Sequence, residues 1–135
     1  MVDTYEYFEQ LLNSMTDFSP LILTTHIESL KIPVKIATSL GIILTELVTN
    51  ALKYAYPKGI QGELRVEIVQ DAEGLTLKVQ DKGRGLPVNF VMKNSSGLGL
   101  NLVKALAEQL KGSFSISGTE GTTCIVHIPK EVLAV

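Results

Sequence analysis

Two short runs of alternating polar and apolar residues constrain the fold of this chain most strongly. Leu64-Arg65-Val66-Glu67-Ile68 and Leu75-Thr76-Leu77-Lys78-Val79 are joined by Asp71-Ala72-Glu73-Gly74. A period of two residues is typical of a β-strand with one apolar face, and a short connection that contains Asp and Gly is typical of an antiparallel hairpin. The chain must therefore build a sheet that offers one apolar face to other elements.

Helical spacing and further strand patterns flank this hairpin. Helices are predicted after an Asp3 N-cap, from Pro33 to about Ala55, and from about Leu98 to Leu110, where Gly112 ends the last one. The remaining predicted strands are Leu21–Ile27, Ser113–Ser117 and Thr122–Ile128. Because strands and helices interleave and hairpins occur among them, the pattern favours a mixed sheet with its helices packed on one face.

The predicted first helix carries its apolar face on Tyr5, Phe8, Leu11, Leu12 and Met15. In the long helix, the side expected to face the core consists of Leu40, Ile43, Leu44, Leu47, Val48 and Ala51.

The composition limits the possible functions. A chain of 135 residues with 45% hydrophobic and 19% charged residues suits one globular domain and excludes a disordered tail. The net charge of −2 lacks the basic excess typical of nucleic-acid binding. Cys124 is the single cysteine, so no intramolecular disulfide can form. There is no signal-like start and no apolar run near the roughly 20 residues that span a bilayer, so we expect a soluble, cytoplasmic domain.

The long predicted helix places an acid, an amide and a base on one stripe. Glu46, Asn50 and Lys53 follow each other at i, i+4 and i+7, within about 60° of arc on an α-helix. Such a stripe is commonly only a solvated surface. A functional interpretation assigns the amide oxygen to Mg²⁺, the ammonium group to phosphate, and the carboxylate to a water molecule or a metal-bound ligand.

Two glycine-containing segments follow. Asp81-Lys82-Gly83-Arg84-Gly85 comes directly after a strand, and Ser95-Ser96-Gly97-Leu98-Gly99-Leu100 opens a helix. The first is compatible with a plain tight turn or with close approach of a ligand to the backbone. The second is compatible with a simple N-cap or with a phosphate cradle at a helix N-terminus. Neither matches the dinucleotide fingerprint or the Gly-x4-Gly-Lys phosphate loop.

Taken together, these segments resemble the GHKL ATPase superfamily, and within it the ATP-binding catalytic domain of two-component sensor histidine kinases. Residues 46–55 are similar to the N box of that family, residues 81–85 to its G1 box and residues 97–100 to its G2 box, while Gly121-Thr122 resembles the start of its final strand. The resemblance covers Leu21 to Pro129 and implies a two-layer α/β sandwich, the Bergerat fold. One domain over residues 1–135 is expected, with residues 1–20 as a helical lead-in and residues 21–129 as the core.

The resemblance also implies roles for individual residues. Asn50 would coordinate Mg²⁺ that bridges the phosphates of ATP, Lys53 would contact phosphate, and Glu46 would act near the metal as a catalytic base. Tyr54 would lie against the adenine, and Asp81 would accept a hydrogen bond from its amino group.

The glycine boxes complete this implied site. Gly83 and Gly85 would leave room for the base, and Thr122 would complete the base contacts through water. The G2 residues Gly97, Leu98, Gly99 and Leu100 would hold phosphates. Residues 86–96 would form a short ATP lid, whose one cation is Lys93.

The implied function is transfer of the ATP γ-phosphoryl group to a histidine. That histidine would lie on a separate phosphoacceptor and dimerisation domain, in the same full-length protein or in another chain, and a response regulator would act downstream. The resemblance is greatest to kinases whose phosphoacceptor domain differs from the commonest type. His26 and His127 lie in predicted strands and are interpreted as structural.

Two other interpretations stay open. One is a free-standing serine kinase of this superfamily that acts as an anti-sigma factor, and the other is a nucleotide-binding module without catalysis. Gyrase-like, chaperone-like and mismatch-repair ATPases are longer and carry an additional transducer region. We expect this segment to be a monomer by itself and to be part of a longer kinase, since it begins where a phosphoacceptor hairpin would end.

Overall fold

The computed structural model describes residues 1–17, 19–56, 62–83, 99–118 and 121–133. In chain order, its elements are β1 (Val2–Asp3), α1 (Thr4–Thr16), β2 (Leu21–Ile27), β3 (Lys31–Ile32), α2 (Val34–Asn50), a π-helical turn (Ala51–Ala55), β4 (Gly62–Asp71), β5 (Gly74–Asp81), α3 (Leu100–Gln109), β6 (Ser113–Ser117), β7 (Thr122–Pro129) and α4 (Lys130–Leu133).

The hairpin that the alternating runs predict lies in the middle of a five-stranded mixed sheet. The strand order is β2-β4-β5-β7-β6, with β2 parallel to β4 and all other neighbours antiparallel. The β4–β5 ladder runs from the pair Asp71 and Gly74 at the turn to the pair Leu64 and Asp81 at the open end. Asp81 and the start of β7 at Thr122 are also paired, so the last residue of β5 meets the first residue of β7.

One face of this sheet is covered, as the sequence predicts. Leu64, Val66 and Ile68 of β4 are fully buried, whereas the alternate residues Arg65 and Glu67 reach the other, polar face. The core side of the long helix is also confirmed, because all six residues expected there are at most 5% exposed. The result is a two-layer sandwich of helices and a mixed sheet.

The first helix begins as the sequence predicts, since the Asp3 side chain accepts a hydrogen bond from the Glu6 N–H at 3.0 Å. Its apolar face is confirmed for Phe8 and Leu12, which are fully buried. Tyr5 is 51% exposed, so its assignment to the buried face is wrong. Thr4 is buried instead, and its hydroxyl donates to the Glu28 carbonyl and accepts from the Leu30 N–H.

Four local features differ from the sequence-based expectation. β1 and β3 form a separate two-stranded sheet, and α4 follows β7 directly. The end of the long helix is a π-helical turn. Finally, α3 is terminated by Lys111, which adopts a left-handed conformation with φ of 60°, and not by Gly112. The Gly112 N–H donates to the Ala107 carbonyl and the Lys111 N–H to the Glu108 carbonyl, which is the Schellman hydrogen-bond pattern.

The combined helical span Val34–Ala55 is long and apolar enough to cross a membrane, with a mean hydropathy of 1.3 over its best window. Composition alone therefore does not distinguish it from a membrane helix, although no single apolar run in it is long. Half of that window is buried inside the domain. The packing identifies it as the central core helix of the sandwich.

Candidate functional site

Asp81 is a buried carboxylate at the open end of the sheet. It is the last residue of β5 and is 8% exposed. Its Oδ1 accepts from the Gly83 N–H at 2.9 Å and from the Thr122 N–H at 3.3 Å. Burial raises the pKa of Asp81 above the ordinary value of 3.8, and the two backbone hydrogen bonds oppose this rise. These contacts fix a hydrogen-bond acceptor at the point where three segments meet.

Glycines allow the backbone to pack closely around Asp81. A β-carbon on Gly83 would overlap the carbonyl oxygen of Ala55, and one on Gly121 would overlap the carbonyl oxygen of Asp81. Gly121 also has a φ of 100°, a conformation that other residues rarely adopt. The turn after β5, the end of the long helix and the start of β7 are therefore in direct contact.

Tyr56 joins the end of the helical segment to the same region. Its hydroxyl accepts from the Lys82 N–H at 2.9 Å and the Glu63 N–H at 3.1 Å, and donates to the Glu63 carbonyl at 2.6 Å. An exposed ion pair between Lys82 and Glu63, at 3.4 Å, lies beside these bonds. Tyr56 thus attaches the chain immediately after Asp81 to the first residues of β4.

A second cluster forms where α2 passes the N-terminus of α3. Gly99 is the N-cap of α3 and has a φ of 68°, in the left-handed region. A β-carbon there would overlap Glu46 Oε2, so the carboxylate of Glu46 lies against the bare backbone of Gly99. Leu100, the first residue of α3, is 2% exposed and anchors the helix in the core. The carboxylate of Glu46 and the N-terminus of α3 therefore lie next to each other.

The predicted acid, amide and base are only partly on one stripe. Glu46 and Asn50 both belong to α2, where 3.6 residues per turn place them on the same side, and both are half-buried. Lys53 and Tyr54 belong to the π-helical turn, which winds with i→i+5 hydrogen bonds. The angular spacing expected for Lys53 is therefore wrong, since it assumes an α-helix to Ala55. Lys53 and Tyr54 are both exposed, Tyr54 by 46%.

Several predicted site residues lie outside the described residues. These are Gly85 of the G1 segment, Gly97 and Leu98 of the G2 segment, and the whole expected lid with Lys93. The structure therefore brings together Asp81, Gly83 and Thr122 in one cluster and Glu46 and Gly99 in another. Asn50 lies between the two clusters along the long helix.

The histidines and the cysteine are parts of the sheet. His26 lies in β2, His127 in β7 and Cys124 in β7 with 6% exposure. Burial, together with the negative charge of the nearby Asp81, raises the pKa of the Cys124 thiol from 9.0 to about 12. A thiol held in this protonated form is chemically inert, as the sequence suggests.

Sequence reasoning missed two contributors to this site. Tyr56 follows the N-box segment directly, but its bonds to Glu63 and Lys82 connect residues 7 and 26 positions away and leave no local pattern. The backbone N–H of Thr122 donates to Asp81, although Thr122 was expected only to contact the base through water. The strand pairing of β5 with β7 explains this contact, and such pairing is not readable from a single sequence.

Comparison with known proteins gives a family match over most of the chain. The family model described as histidine kinase-, DNA gyrase B-, and HSP90-like ATPase matches residues 36–132. A sensor histidine kinase, PdtaS of Mycolicibacterium smegmatis, is 37% identical over 97 residues, which cover 69% of this chain and 19% of that protein. Blue-light-activated histidine kinase 2 of Erythrobacter litoralis is 30% identical over 104 residues, which cover 76% of this chain and 30% of that protein.

Solved structures share the fold. A blue-light-activated histidine kinase of Erythrobacter litoralis superposes with a TM-score of 0.85 at 23% identity, over 96% of this chain and 42% of that chain. The mycobacterial sensor histidine kinase MprB superposes with a TM-score of 0.76 at 21% identity, over 95% of both chains. The sandwich is thus the α/β fold of histidine kinase ATPase domains. The chain spans about a fifth to a third of the curated relatives above.

Proposed function

Because this chain belongs to the family of histidine kinase-, DNA gyrase B-, and HSP90-like ATPases, we propose that it binds Mg²⁺-ATP and donates the γ-phosphoryl group to a histidine of a separate phosphoacceptor domain. The family and the sensor kinase relatives support the use of ATP. The observation that carries the proposal is the buried Asp81 acceptor near one end of the long helical segment, together with the Glu46–Gly99 contact nearer its middle. An elongated ligand with a base at one end and phosphates at the other suits this arrangement.

The described residues fit an adenine nucleotide. Asp81 is a buried carboxylate held by two backbone donors, so it presents an acceptor of fixed orientation to an exocyclic amino group. Gly83 has no side chain, so its backbone can pack directly on the Ala55 carbonyl beside Asp81. At the other end, the bare backbone of Gly99 and the N-terminus of α3 suit phosphate oxygens.

The residues also fit a hard cation bound together with phosphates. Within the described ranges, no group of three His, Cys, Asp or Glu side chains could hold a metal by itself. Mg²⁺ commonly uses one or two protein oxygens and completes its shell with water and substrate phosphates. Asn50 would supply the protein oxygen, and Lys53 would contact phosphate from the exposed π-helical turn.

Phosphoryl transfer requires mainly positioning and charge neutralisation from the protein. When bound, Mg²⁺-ATP supplies the transferable γ-phosphoryl group and the divalent charge. Asp81 selects the base, Thr122 and Gly83 orient Asp81, and Tyr54 lies against the base. Leu100 anchors α3 so that its N-terminal amides, with those of Gly99, Leu98 and Gly97, hold phosphates. Glu46 is half-buried beside that N-terminus and acts as the base.

The acceptor and the downstream partner follow from the same proposal. The acceptor histidine lies on a phosphoacceptor and dimerisation domain, in the full-length protein or in another chain, and a response regulator takes the phosphoryl group next. The catalytic segment works in the cytoplasm and is monomeric by itself. Because the chain spans a minority of its curated relatives' length, these partners belong to the proposal and not to the fold.

A phosphotransfer assay tests this function. The chain is mixed with a purified helical-hairpin phosphoacceptor domain and ATP labelled at the γ-phosphate, with Glu46→Gln as the matched control. We expect an acid-labile, base-stable label on the hairpin, which identifies phosphohistidine, and a strongly reduced label with E46Q. An acid-stable label on serine would support the serine-kinase interpretation instead. Nucleotide binding without labelling of any supplied acceptor would support a non-catalytic module.

A further inference from the structure

Tyr56 uses the full bonding capacity of its hydroxyl at one place. A tyrosine hydroxyl has one donor and two acceptor sites. The donor goes to the Glu63 carbonyl at 2.6 Å, and the acceptors take the N–H groups of Glu63 and Lys82 at 3.1 and 2.9 Å. A saturated hydroxyl that holds only backbone groups fixes the path of the chain, because backbone positions cannot rotate away as side chains can.

The Tyr56 hydroxyl lies where the next residue pair of the β4–β5 ladder would form. The β4–β5 ladder ends at the pair Leu64 and Asp81. One step further in the same antiparallel register, the pair would be Glu63 and Lys82. Tyr56 binds both of these residues and so replaces their direct pairing. The two strands therefore part immediately after Asp81, where the chain enters the turn that contains Gly83.

The ring of Tyr56 and the preceding residue, Ala55, also pack closely on backbone. A β-carbon on Gly62 would overlap the Tyr56 ring, so the ring lies flat against the backbone of β4. On the other side, the carbonyl of Ala55 packs against the α-carbon of Gly83. Ala55, the last residue of the π-helical turn, and Tyr56, which follows it, thus contact the two residues that come after Asp81, namely Gly83 and Lys82.

We infer that Tyr56 is a positioning residue for base recognition: its hydroxyl sets where the Asp81 carboxylate stands relative to the long helix. The inference rests on the proposed function, in which Asp81 accepts from the amino group of a 6-aminopurine nucleotide. Tyr56 does not touch the base in this account. It acts through the backbone of Lys82, one residue after Asp81.

The direct test is Tyr56→Phe, which keeps the ring on Gly62 and removes the three hydrogen bonds. Dissociation constants are measured by calorimetry for the non-hydrolysable β,γ-imido analogues of ATP and of ITP, with Mg²⁺. ITP lacks the 6-amino group. We expect Y56F to bind the ATP analogue about three- to tenfold more weakly, the effect of about one net hydrogen bond. The ITP analogue should change less, so the preference for adenine falls.

The control variant is Glu63→Gln. It removes the Lys82–Glu63 ion pair but keeps the backbone atoms that Tyr56 binds, and we expect wild-type affinities and wild-type preference. A residue that contributes only to stability would not change the ratio of the two affinities in a folded protein. If Y56F keeps the wild-type ratio, the inference is wrong. If the wild-type chain binds neither nucleotide, the proposed function itself fails.

Amide hydrogen exchange on the wild-type chain gives a test that does not depend on the folding of a variant. Lys82 is exposed, but its N–H donates to the Tyr56 hydroxyl. We expect this amide to exchange at least tenfold more slowly than an unprotected exposed amide of the same sequence context. Exchange at the unprotected rate would overturn the assignment of Tyr56, whatever the behaviour of Y56F.

Discussion

The carboxylate of Glu46 lies against the α-carbon of Gly99, and a side chain at position 99 would overlap Glu46 Oε2. This contact joins the central helix α2 to the start of α3. It depends on glycine twice, since Gly99 also has a φ of 68°. The proposed catalytic base therefore lies directly against Gly99, one of the residues of the proposed phosphate site.

Gly99→Ala should destabilise the domain and displace Glu46. The left-handed backbone alone costs a residue with a β-carbon about 1–2 kcal/mol, and the overlap adds to this. We therefore expect a lower free energy of unfolding in urea. In a Glu46→Ala background the overlap is removed but the backbone strain is not, so G99A should cost less there than in the wild type. Equal losses in the two backgrounds would contradict the contact.

Asp81→Asn should keep or raise stability at neutral pH. Burial raises the pKa of Asp81, so the ionised form is disfavoured in the folded state relative to the unfolded state. The contribution of Asp81 to stability is then fully present below its unfolded pKa and is lost as pH rises through the higher folded pKa. The free energy of unfolding of D81N relative to the wild type should therefore increase as the pH rises from about 3 to about 7, a range that begins just below the ordinary pKa of an aspartate.

Urea unfolding at several pH values measures this difference. Asp71→Asn is the matched control, because Asp71 is an exposed residue at the end of β4, beside the hairpin turn, and also accepts from backbone N–H groups. We expect no comparable growth of a stability advantage for D71N. A stability loss for D81N that increases with pH would show that Asp81 stabilises the fold as an ion, contrary to this account.

Lys111→Gly should stabilise the domain. Lys111 adopts a φ of 60° as the residue that closes the Schellman pattern after α3, a position where glycine has no β-carbon penalty. We expect a gain of about 1 kcal/mol in the free energy of unfolding. The paired control is Lys104→Gly in the exposed middle of α3, which should lose about 1 kcal/mol. The prediction fails if both substitutions shift stability in the same direction.

Lys111 also illustrates what the sequence could and could not predict. The hairpin, the edge strands and α3 follow from periodicity, because each has one buried face. In the sequence, Gly112 is the residue expected to end α3. In the structure the left-handed residue is the preceding Lys111, because the N–H groups of Lys111 and Gly112 donate to the carbonyls of Glu108 and Ala107. The π-helical turn escapes prediction in the same way. No periodic signal distinguishes Ala51–Ala55 from a continued α-helix.

The candidate site divides similarly. Glu46, Asn50 and Asp81 could be proposed as candidates, because their segments resemble the boxes of a known ATPase family. The contacts of Tyr56 with Lys82 and of Thr122 with Asp81 could not, because they depend on which strands pair. Hydrogen bonds between a side chain and a distant backbone N–H have no signature in the residues between them.

Cys124 should resist alkylation in the folded domain. Burial and the nearby charge of Asp81 raise the pKa of the thiol to about 12, so the reactive thiolate is about a thousandfold rarer than for a thiol of pKa 9.0. We expect iodoacetamide at pH 8 to label the unfolded chain readily and the native chain very slowly. D81N should react somewhat faster than the wild type when native. Rapid native labelling of the wild type would contradict the burial of β7.

Calorimetric titration of the non-hydrolysable β,γ-imido ATP analogue with Mg²⁺ into the wild-type chain and into Asp81→Asn measures whether Asp81 recognises adenine. We expect saturable one-to-one binding to the wild type. We also expect a loss of at least tenfold in affinity for D81N, whose side-chain amide presents N–H donors where the adenine amino group needs an acceptor. Absence of binding to the wild type at millimolar analogue, or equal affinity in the two proteins, would contradict this role of Asp81.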